Sequence, residues 1–323
     1  MKHISIIVPQ GDSILSSIIG PYKALTAAND YLVKTGRNAM FDIHLVGLRN
    51  ETKLYGGLFS VHPDKMMADV KKTDLIIIPA LQPHSLSQNL DFIPWITDQY
   101  KRGAEVASLC VGAFLLASTG LLNGKKCTTH WLAADGFRQM FPEVKLITEK
   151  IITEDNGIYS SGGAYSFVNL VLHLIEKYCG REVAVFISKV LEVEIDRKSQ
   201  SPFTIFMGQK GHEDESIKQA QEYIELNVGS KISVDQLANL FLISRRNFER
   251  RFKKATANTP VEYLQRVKIE AAKKSLESGR EHINEVMYAV GYSDSKAFRT
   301  TFKKITGLSP LDYRKKYNRE MVA

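Results

Sequence analysis

The chain has 323 residues, 44% of them hydrophobic, and a formal net charge of +8. That length accommodates two domains with separate cores, and no stretch approaches the ~20 apolar residues of a membrane-spanning helix. The charge is unevenly placed, because residues 215–323 hold 21 Lys and Arg against 13 Asp and Glu, while the first 214 residues hold 22 of each. A compact segment that basic is the usual footprint of phosphate-backbone binding, and the charge excess of the whole chain is local to it. The opening Met1-Lys-His-Ile-Ser-Ile-Ile-Val-Pro9 has too short an apolar run for a signal peptide and reads as a buried strand. Cys110, Cys127 and Cys179 are odd in number and lack metal-ligand spacing. A reduced cytoplasmic compartment is therefore expected, with no cofactor and no metal.

From the N-terminus, strands are expected at 4–8, 41–47, 75–79, 106–110, 145–153 and 157–160. Helices are expected at 21–35, 92–102, 112–119, 130–141, 164–178 and 181–190. Leu75-Ile-Ile-Ile78 is a continuous apolar run, as a central parallel strand covered on both faces requires. The alternation predicts an α/β domain over 1–190, with a parallel sheet between two layers of helices.

Cys110 ends one expected strand, and a helix starts at once behind it. That is the sharp strand-to-helix turn that exposes a nucleophile, and the positive end of the helix dipole favours thiolate there. His130 lies twenty residues on, and Ser161-Gly162-Gly163 precedes another helix with backbone amides suited to an anion. The run Cys110-Val-Gly-Ala-Phe-Leu-Leu-Ala-Ser-Thr-Gly-Leu-Leu-Asn-Gly124, with Thr129-His-Trp131, Ser161-Gly-Gly163 and Gly20-Pro21, resembles the DJ-1/PfpI superfamily. That superfamily is flavodoxin-like and related to class I glutamine amidotransferases. The resemblance implies a small-molecule pocket at the carboxyl ends of the strands, with Asp12, Cys110, His130, Ser161, Gly162 and Gly163 as candidate walls. Hydrolytic members place histidine directly after the cysteine, where this chain has Val111. They also carry glutamate after the first strand, where it has Gly11-Asp12-Ser13. No catalytic residue is assigned. A cysteine hydrolase or amidase, and a redox sensor acting through Cys110, stay open as alternatives.

Residues 191–214 read as a partly ordered linker, whose apolar 202–207 patch is expected to dock on a domain. The expected domain 215–323 is all-α and internally duplicated. Phe248, Phe252, Pro260 and Tyr263 align with Phe298, Phe302, Pro310 and Tyr313 at a constant spacing of 50. Each copy reads as helix, tight turn, helix. Ser233 with Gln236 forms a capping-box pattern, Ser244 and Ser293 stand before the second helices, and Gly291 stands where a left-handed turn residue is wanted. Arg245, Arg246, Asn247, Arg250 and Arg251 crowd the second helix of copy one, where a helix-turn-helix reads a groove. Ser295, Lys296, Arg299, Thr300 and Lys303 occupy the exposed face in copy two.

The runs Ser244 to Lys254 with Thr259-Pro-Val-Glu-Tyr263, and Val290-Gly-Tyr to Lys304 with Ser309-Pro-Leu-Asp-Tyr-Arg314, resemble the AraC-type DNA-binding domain. The resemblance implies two helix-turn-helix units joined by a helix at 260–278, set into successive major grooves of double-stranded DNA. It places Arg246, Asn247 and Arg250 at base-reading positions of the first recognition helix, and Ser295, Lys296, Arg299 and Thr300 at those of the second. Lys303 is expected to grip phosphate. The combined resemblance, to GlxA-like regulators of the AraC family, implies a transcriptional regulator, more often an activator, that answers to a small nitrogenous metabolite. A homodimer is expected from the same family habit, and RNA polymerase is a further partner if the chain activates.

Overall fold

The structure is a computed structural model that describes residues 1–318. The last five residues of the expected 215–323 domain therefore lie outside the described residues. The chain forms two compact units, Met1–Gln200 and Ser201–Ala323.

In chain order the first unit contains β1 (Lys2–Val8), α1 (Ser16–Lys34), β2 (Phe41–Gly47), β3 (Thr52–Leu54), β4 (Phe59–Val61), β5 (Lys65–Met66) and β6 (Leu75–Ile78). It continues with α2 (Phe92–Lys101), β7 (Glu105–Ser108), α3 (Ala113–Ser118), β8 (Lys126–Cys127), α4 (Ala134–Met140), β9 (Lys145–Leu146), β10 (Ile152–Asp155), β11 (Ile158–Ser161), α5 (Phe167–Cys179) and α6 (Arg181–Val190). Seven strands make one sheet in the order β10-β11-β7-β6-β1-β2-β5. Its pairings are parallel except β10 with β11. Side-chain alternation sorts the two faces. Ile4, Ile6, Val8, Leu75 and Ile77 pack under α1, α5 and α6, against Leu25, Leu170 and Ile187. Ile7, Ile76 and Ile78 pack on the opposite side with Phe92, Leu115 and Phe137 of α2, α3 and α4. This three-layer arrangement follows from strands that are apolar on both faces.

Some elements differ from the sequence expectation. The strand expected at 145–153 is two short strands, because the carbonyls between them are taken by side chains: Gln200 Nε2 donates to Thr148 O at 2.6 Å and Thr128 Oγ1 to Lys150 O at 2.8 Å. Helix α1 begins at Ser16 rather than at residue 21, so Pro21 sits inside it. The helix expected from 130 begins as a single 3-10 turn over Trp131–Ala133 before α4. The hairpin β3–β4 and the edge strand β5, two or three residues per strand, are too short to show a period of two.

The second unit contains α7 (Glu215–Leu226), α8 (Val234–Leu240), α9 (Arg245–Thr256), α10 (Pro260–Ser278), α11 (Ile283–Ala289), α12 (Ser295–Thr306) and α13 (Pro310–Tyr317). Helices α8–α9 and α11–α12 are two helix-turn-helix units, and α10 joins them. Each has its own core, with Phe248, Phe252 and Tyr263 in one and Phe298, Phe302 and Tyr313 in the other. The duplication extends to ring geometry: Phe252–Tyr263 centroids are 5.3 Å apart at 78°, and Phe302–Tyr313 centroids 5.5 Å apart at 80°. The Ser233–Gln236 capping box forms. Ser244 makes no side-chain cap bond, and the N-cap of α12 is Asp294 rather than Ser293, its Oδ1 accepting from the Ala297 amide at 2.8 Å.

Residues 191–200 fall in the first unit and residues 201–214 in the second. Ser199 bridges to Lys150 and Gln200 is buried in the first unit. In the second unit, the Phe206 ring meets Tyr263 edge-on at 5.1 Å, and the Phe206 amide donates to Glu270 Oε2 at 3.0 Å. Lys273 Nζ, buried beneath, donates to Glu270 at 2.7 Å and to Thr204 O at 2.6 Å. Satisfying these backbone groups is what orders the segment.

Candidate functional site

The aromatic pairs of α9 and α12 turn one face of each helix inward, which decides what the other faces present. On α9, Arg246 and Arg250 are exposed. Asn247 is half-buried, and its Oδ1 accepts from Arg250 Nη2 at 2.8 Å. Arg245 and Arg251 are committed within the chain instead. Arg245 pairs with Asp235 of α8 at 2.9 Å and with Glu249 at 3.1 Å. Arg251 Nε donates to Asp214 Oδ2 at 2.8 Å, and Asp214 also caps α7 through the Ile217 amide. The clustered arginines therefore serve two purposes: one pair braces the helices, and Arg246 with Arg250 faces solvent. On α12, Ser295, Lys296, Arg299, Thr300 and Lys303 are all exposed.

The two helix-turn-helix units are locked together by groups that carry no sequence motif. Lys268 of α10 is 8% exposed, and its Nζ donates to Ser230 O at 2.9 Å and Val290 O at 3.0 Å. Burial holds its pKa below the ordinary lysine value. Gly291 sits beside it with φ +73°, and a Cβ there would lie 2.5 Å from Lys268 Nζ and 2.6 Å from Gly229 O. Glycine is thus required twice, by the left-handed backbone and by the close approach of the Gly229 loop that precedes α8.

In the N-terminal unit the strand-to-helix turn is present. Cys110 follows β7 with φ +54°, its amide donates to Ser161 Oγ at 3.2 Å, and its carbonyl accepts from Thr129 Oγ1 at 2.9 Å. Behind it Gly112 passes so close to β6 that a Cβ would fall 2.5 Å from Pro79 O. The expected thiolate is not what this turn produces. Burial pushes the Cys110 thiol up to about 12, because desolvation of the charged form outweighs the Val111 amide that favours it. Nor are the Ser161–Gly163 amides open to an anion. Gln200 Oε1 accepts from the Gly163 amide at 2.9 Å, while its Nε2 donates to Thr129 O at 3.0 Å. A Cβ on Gly162 would strike that carboxamide at 2.7 Å.

His130 Nδ1 accepts from the Leu132 amide at 3.1 Å, and burial lowers its pKa, so the ring is neutral with its proton on Nε2. A backbone amide thus occupies the position an orienting carboxylate would need. Asp12 makes an exposed pair with His84 Nε2 at 3.0 Å. Gln200 and His84 were not expected from the sequence, since neither lies in a motif. An apolar groove of about 530 Å³ opens between α1 and α5, lined by Leu15, Ile19, Val168, Val171, Leu191 and Val193, away from the Cys110 turn.

A parallel α/β unit with a cysteine elbow, carried with a duplicated basic helix-turn-helix unit, defines a DNA-binding transcriptional regulator with a DJ-1-like domain. Comparison with known proteins agrees. The DJ-1/PfpI family matches residues 16–177, and the helix-turn-helix domain family matches residues 237–316. The chain belongs to the DJ-1/PfpI family and carries an AraC-type helix-turn-helix domain. It is 26% identical over 255 residues to the HTH-type transcriptional regulator GbdR of Pseudomonas aeruginosa, spanning 79% of this chain and 69% of that protein. It is 22% identical over 215 residues to the HTH-type transcriptional regulator GlxA of Rhizobium meliloti, spanning 66% of each. The crystal structure of Drosophila melanogaster DJ-1beta has the same fold as the N-terminal unit, with a TM-score of 0.51 at 19% identity over 60% of this chain and 98% of that one. Among the described residues no helix is long and apolar enough to cross a membrane.

Proposed function

We propose that this chain is a cytoplasmic, homodimeric transcriptional activator that reads DNA with α9 and α12 and responds to a small nitrogenous metabolite held by its N-terminal unit. One observation carries the reading: two equivalent helices present exposed polar and basic faces, Arg246 and Arg250 on one and Lys296, Arg299 and Lys303 on the other. Arginine grips guanine bidentately, and lysine neutralises phosphate. Arg246, Asn247 and Arg250 read bases. Ser295, Lys296, Arg299 and Thr300 read the adjacent groove, and Lys303 holds the backbone. Arg245 and Arg251 orient α9 through their carboxylate partners, adding to the positive field rather than to base contacts.

The metabolite meets the edge formed by Asp12, Cys110, His130 and Ser161 to Gly163, with Gln200 as the group it displaces or contacts. Hydrolysis and thiol redox sensing are disfavoured by the thiol's raised pKa and by the backbone partner of His130. RNA polymerase is the partner through which binding becomes activation.

The test uses the full chain. DNA sites selected from a random pool should bind it with an affinity that falls linearly in log salt. Arg246→Ala should blur the selected sequence. Thermal-shift screening against amino acids and quaternary amines should find a stabiliser whose effect Gln200→Ala or His130→Ala abolishes. A chain that selects no sequence at low salt refutes the reading of the helices. A stabiliser indifferent to both substitutions moves the metabolite site elsewhere.

A further inference from the structure

We propose that His3, Asp42 and His44 form a binding site for a divalent transition-metal cation of the zinc type, on the sheet face opposite α1, α5 and α6. The three ligand atoms lie within 4.8 Å of one another. His3 Nδ1 is 2.9 Å and His44 Nε2 is 3.2 Å from the same oxygen, Asp42 Oδ2. Tetrahedral zinc with bonds of about 2.0–2.1 Å needs ligand atoms about 3.3 Å apart, so the donors stand close to coordinating distance already.

The scaffold explains why. β1 and β2 pair in parallel with His3 opposite Asp42 and Ser5 opposite His44. Ile4, Ile6, Phe41 and the partly buried Ile43 point into the core under α1. Alternation therefore sends His3, Asp42 and His44 to the other face, where they remain partly exposed. A site built on paired strands holds its geometry better than one on loops.

A fourth residue supplies the feature that sets a ligating imidazole apart from an ordinary surface one. Asp64, just before β5, accepts from His44 Nδ1 at 2.8 Å. With Nδ1 engaged by Asp64, the other ring nitrogen, Nε2, faces Asp42 Oδ2 at 3.2 Å, the position from which it can ligate. A cation there takes the place of the proton that otherwise bridges the two atoms. Metal-bound histidine characteristically gives its other N–H to a carboxylate, which fixes the tautomer and raises ligand basicity. Two imidazoles and one carboxylate suit zinc and its neighbours rather than magnesium or calcium, which prefer oxygen ligands. Water completes the coordination, and the bound ion staples β1, β2 and the segment entering β5.

Titration calorimetry of the full chain, stripped with chelator, should show one Zn2+ bound in the micromolar range or tighter, with Mg2+ not competing. His3→Ala and His44→Ala should abolish that binding event. Asp64→Asn, which retains all three ligands, should weaken it about 10–100-fold. Zn2+ should raise the melting temperature of the parent and not that of His44→Ala. His3 is exposed, so its variant folds, and circular dichroism checks this. No Zn2+ binding by the parent, or equal binding by the His3 and His44 variants, overturns the proposal. The first outcome leaves a cluster held by a second imidazole proton, and the second places the metal at other residues of the chain.

Discussion

Lys268 holds Val290: the ammonium at the middle of α10 donates at 3.0 Å to the carbonyl that ends α11, and at 2.9 Å to Ser230 from the other half of the unit. One buried side chain therefore ties the loop before α8 to the end of α11, a link between two halves that sequence alone shows only as a repeat. Lys268→Met keeps the length and removes the donor, leaving buried carbonyls unsatisfied. The loss should be about 1–3 kcal/mol in denaturant unfolding. Binding to a two-groove site should fall further than binding to a half-site. A variant as stable as the parent would show that water replaces the ammonium.

The division among the α9 arginines separates specificity from stability. Arg246→Ala and Arg250→Ala should each weaken specific binding by about 1–3 kcal/mol and relax preference at one or two base pairs. Arg251→Ala should lower the melting temperature, because it breaks the pair with Asp214, and leave base preference intact. Anisotropy titrations on single-base variants of the site, run beside thermal melts, check both. A changed base preference in Arg251→Ala would place that arginine on the DNA.

No thiol should react readily in the native chain. Burial pushes Cys110 and Cys127 up to about 12 and Cys179 up to about 11. With Ellman's reagent near neutral pH, labelling should be slow until denaturant exposes the three cysteines. Rapid native labelling of Cys110 would restore the thiol-sensing alternative.

Acid should loosen the second unit through Asp214. Its carboxyl is held below the ordinary aspartate value by the Arg251 hydrogen bond, with the Ile217 amide assisting against partial burial. A depressed pKa means the folded state binds fewer protons than the unfolded one. Stability is thus present above the ordinary aspartate value and is lost as pH falls through the depressed one. Asp214→Asn keeps the helix cap and removes the titration. Its stability deficit should be constant near neutral pH and vanish in acid, as read from melts across the pH range. A deficit that persists in acid would assign it to geometry rather than charge.

Gly291→Ala tests the turn. The left-handed backbone costs an alanine about 1–2 kcal/mol, and the clash with Gly229 O adds to it. Unfolding and DNA binding should both suffer, whereas Gly211→Ala, with open space around a Cβ and no left-handed backbone, should leave both intact.

Much of the fold was legible because it rests on local periodicity. The 50-residue repeat of Phe248, Phe252 and Tyr263 fixed the twin helix-turn-helix units, since aromatic residues four apart must share a helix face. Leu75 to Ile78 marked the central strand through unbroken hydrophobicity. The Cys110 elbow was legible as a position but not as chemistry. A helix N-terminus favours thiolate, yet Cys110 is 2% exposed and desolvation wins. Ser161 to Gly163 looked like an open anion cradle, because nothing in the sequence announces that Gln200, 37 residues on, fills it.

By itself the sequence determined the class of protein: the charge excess, the duplicated helices and the glycines that only one backbone conformation tolerates. Tertiary structure decided which charged groups are available. Arg245 and Arg251 look identical to Arg246 and Arg250 along the chain, and only the positions of Asp235 and Asp214 in space withdraw them into ion pairs. The same holds for His3 and Asp42, which no ligand spacing connects. Their 39-residue separation closes to 2.9 Å because parallel pairing of β1 with β2 sets one opposite the other. Local patterns encode which element forms, whereas strand register and helix packing encode which distant atoms meet.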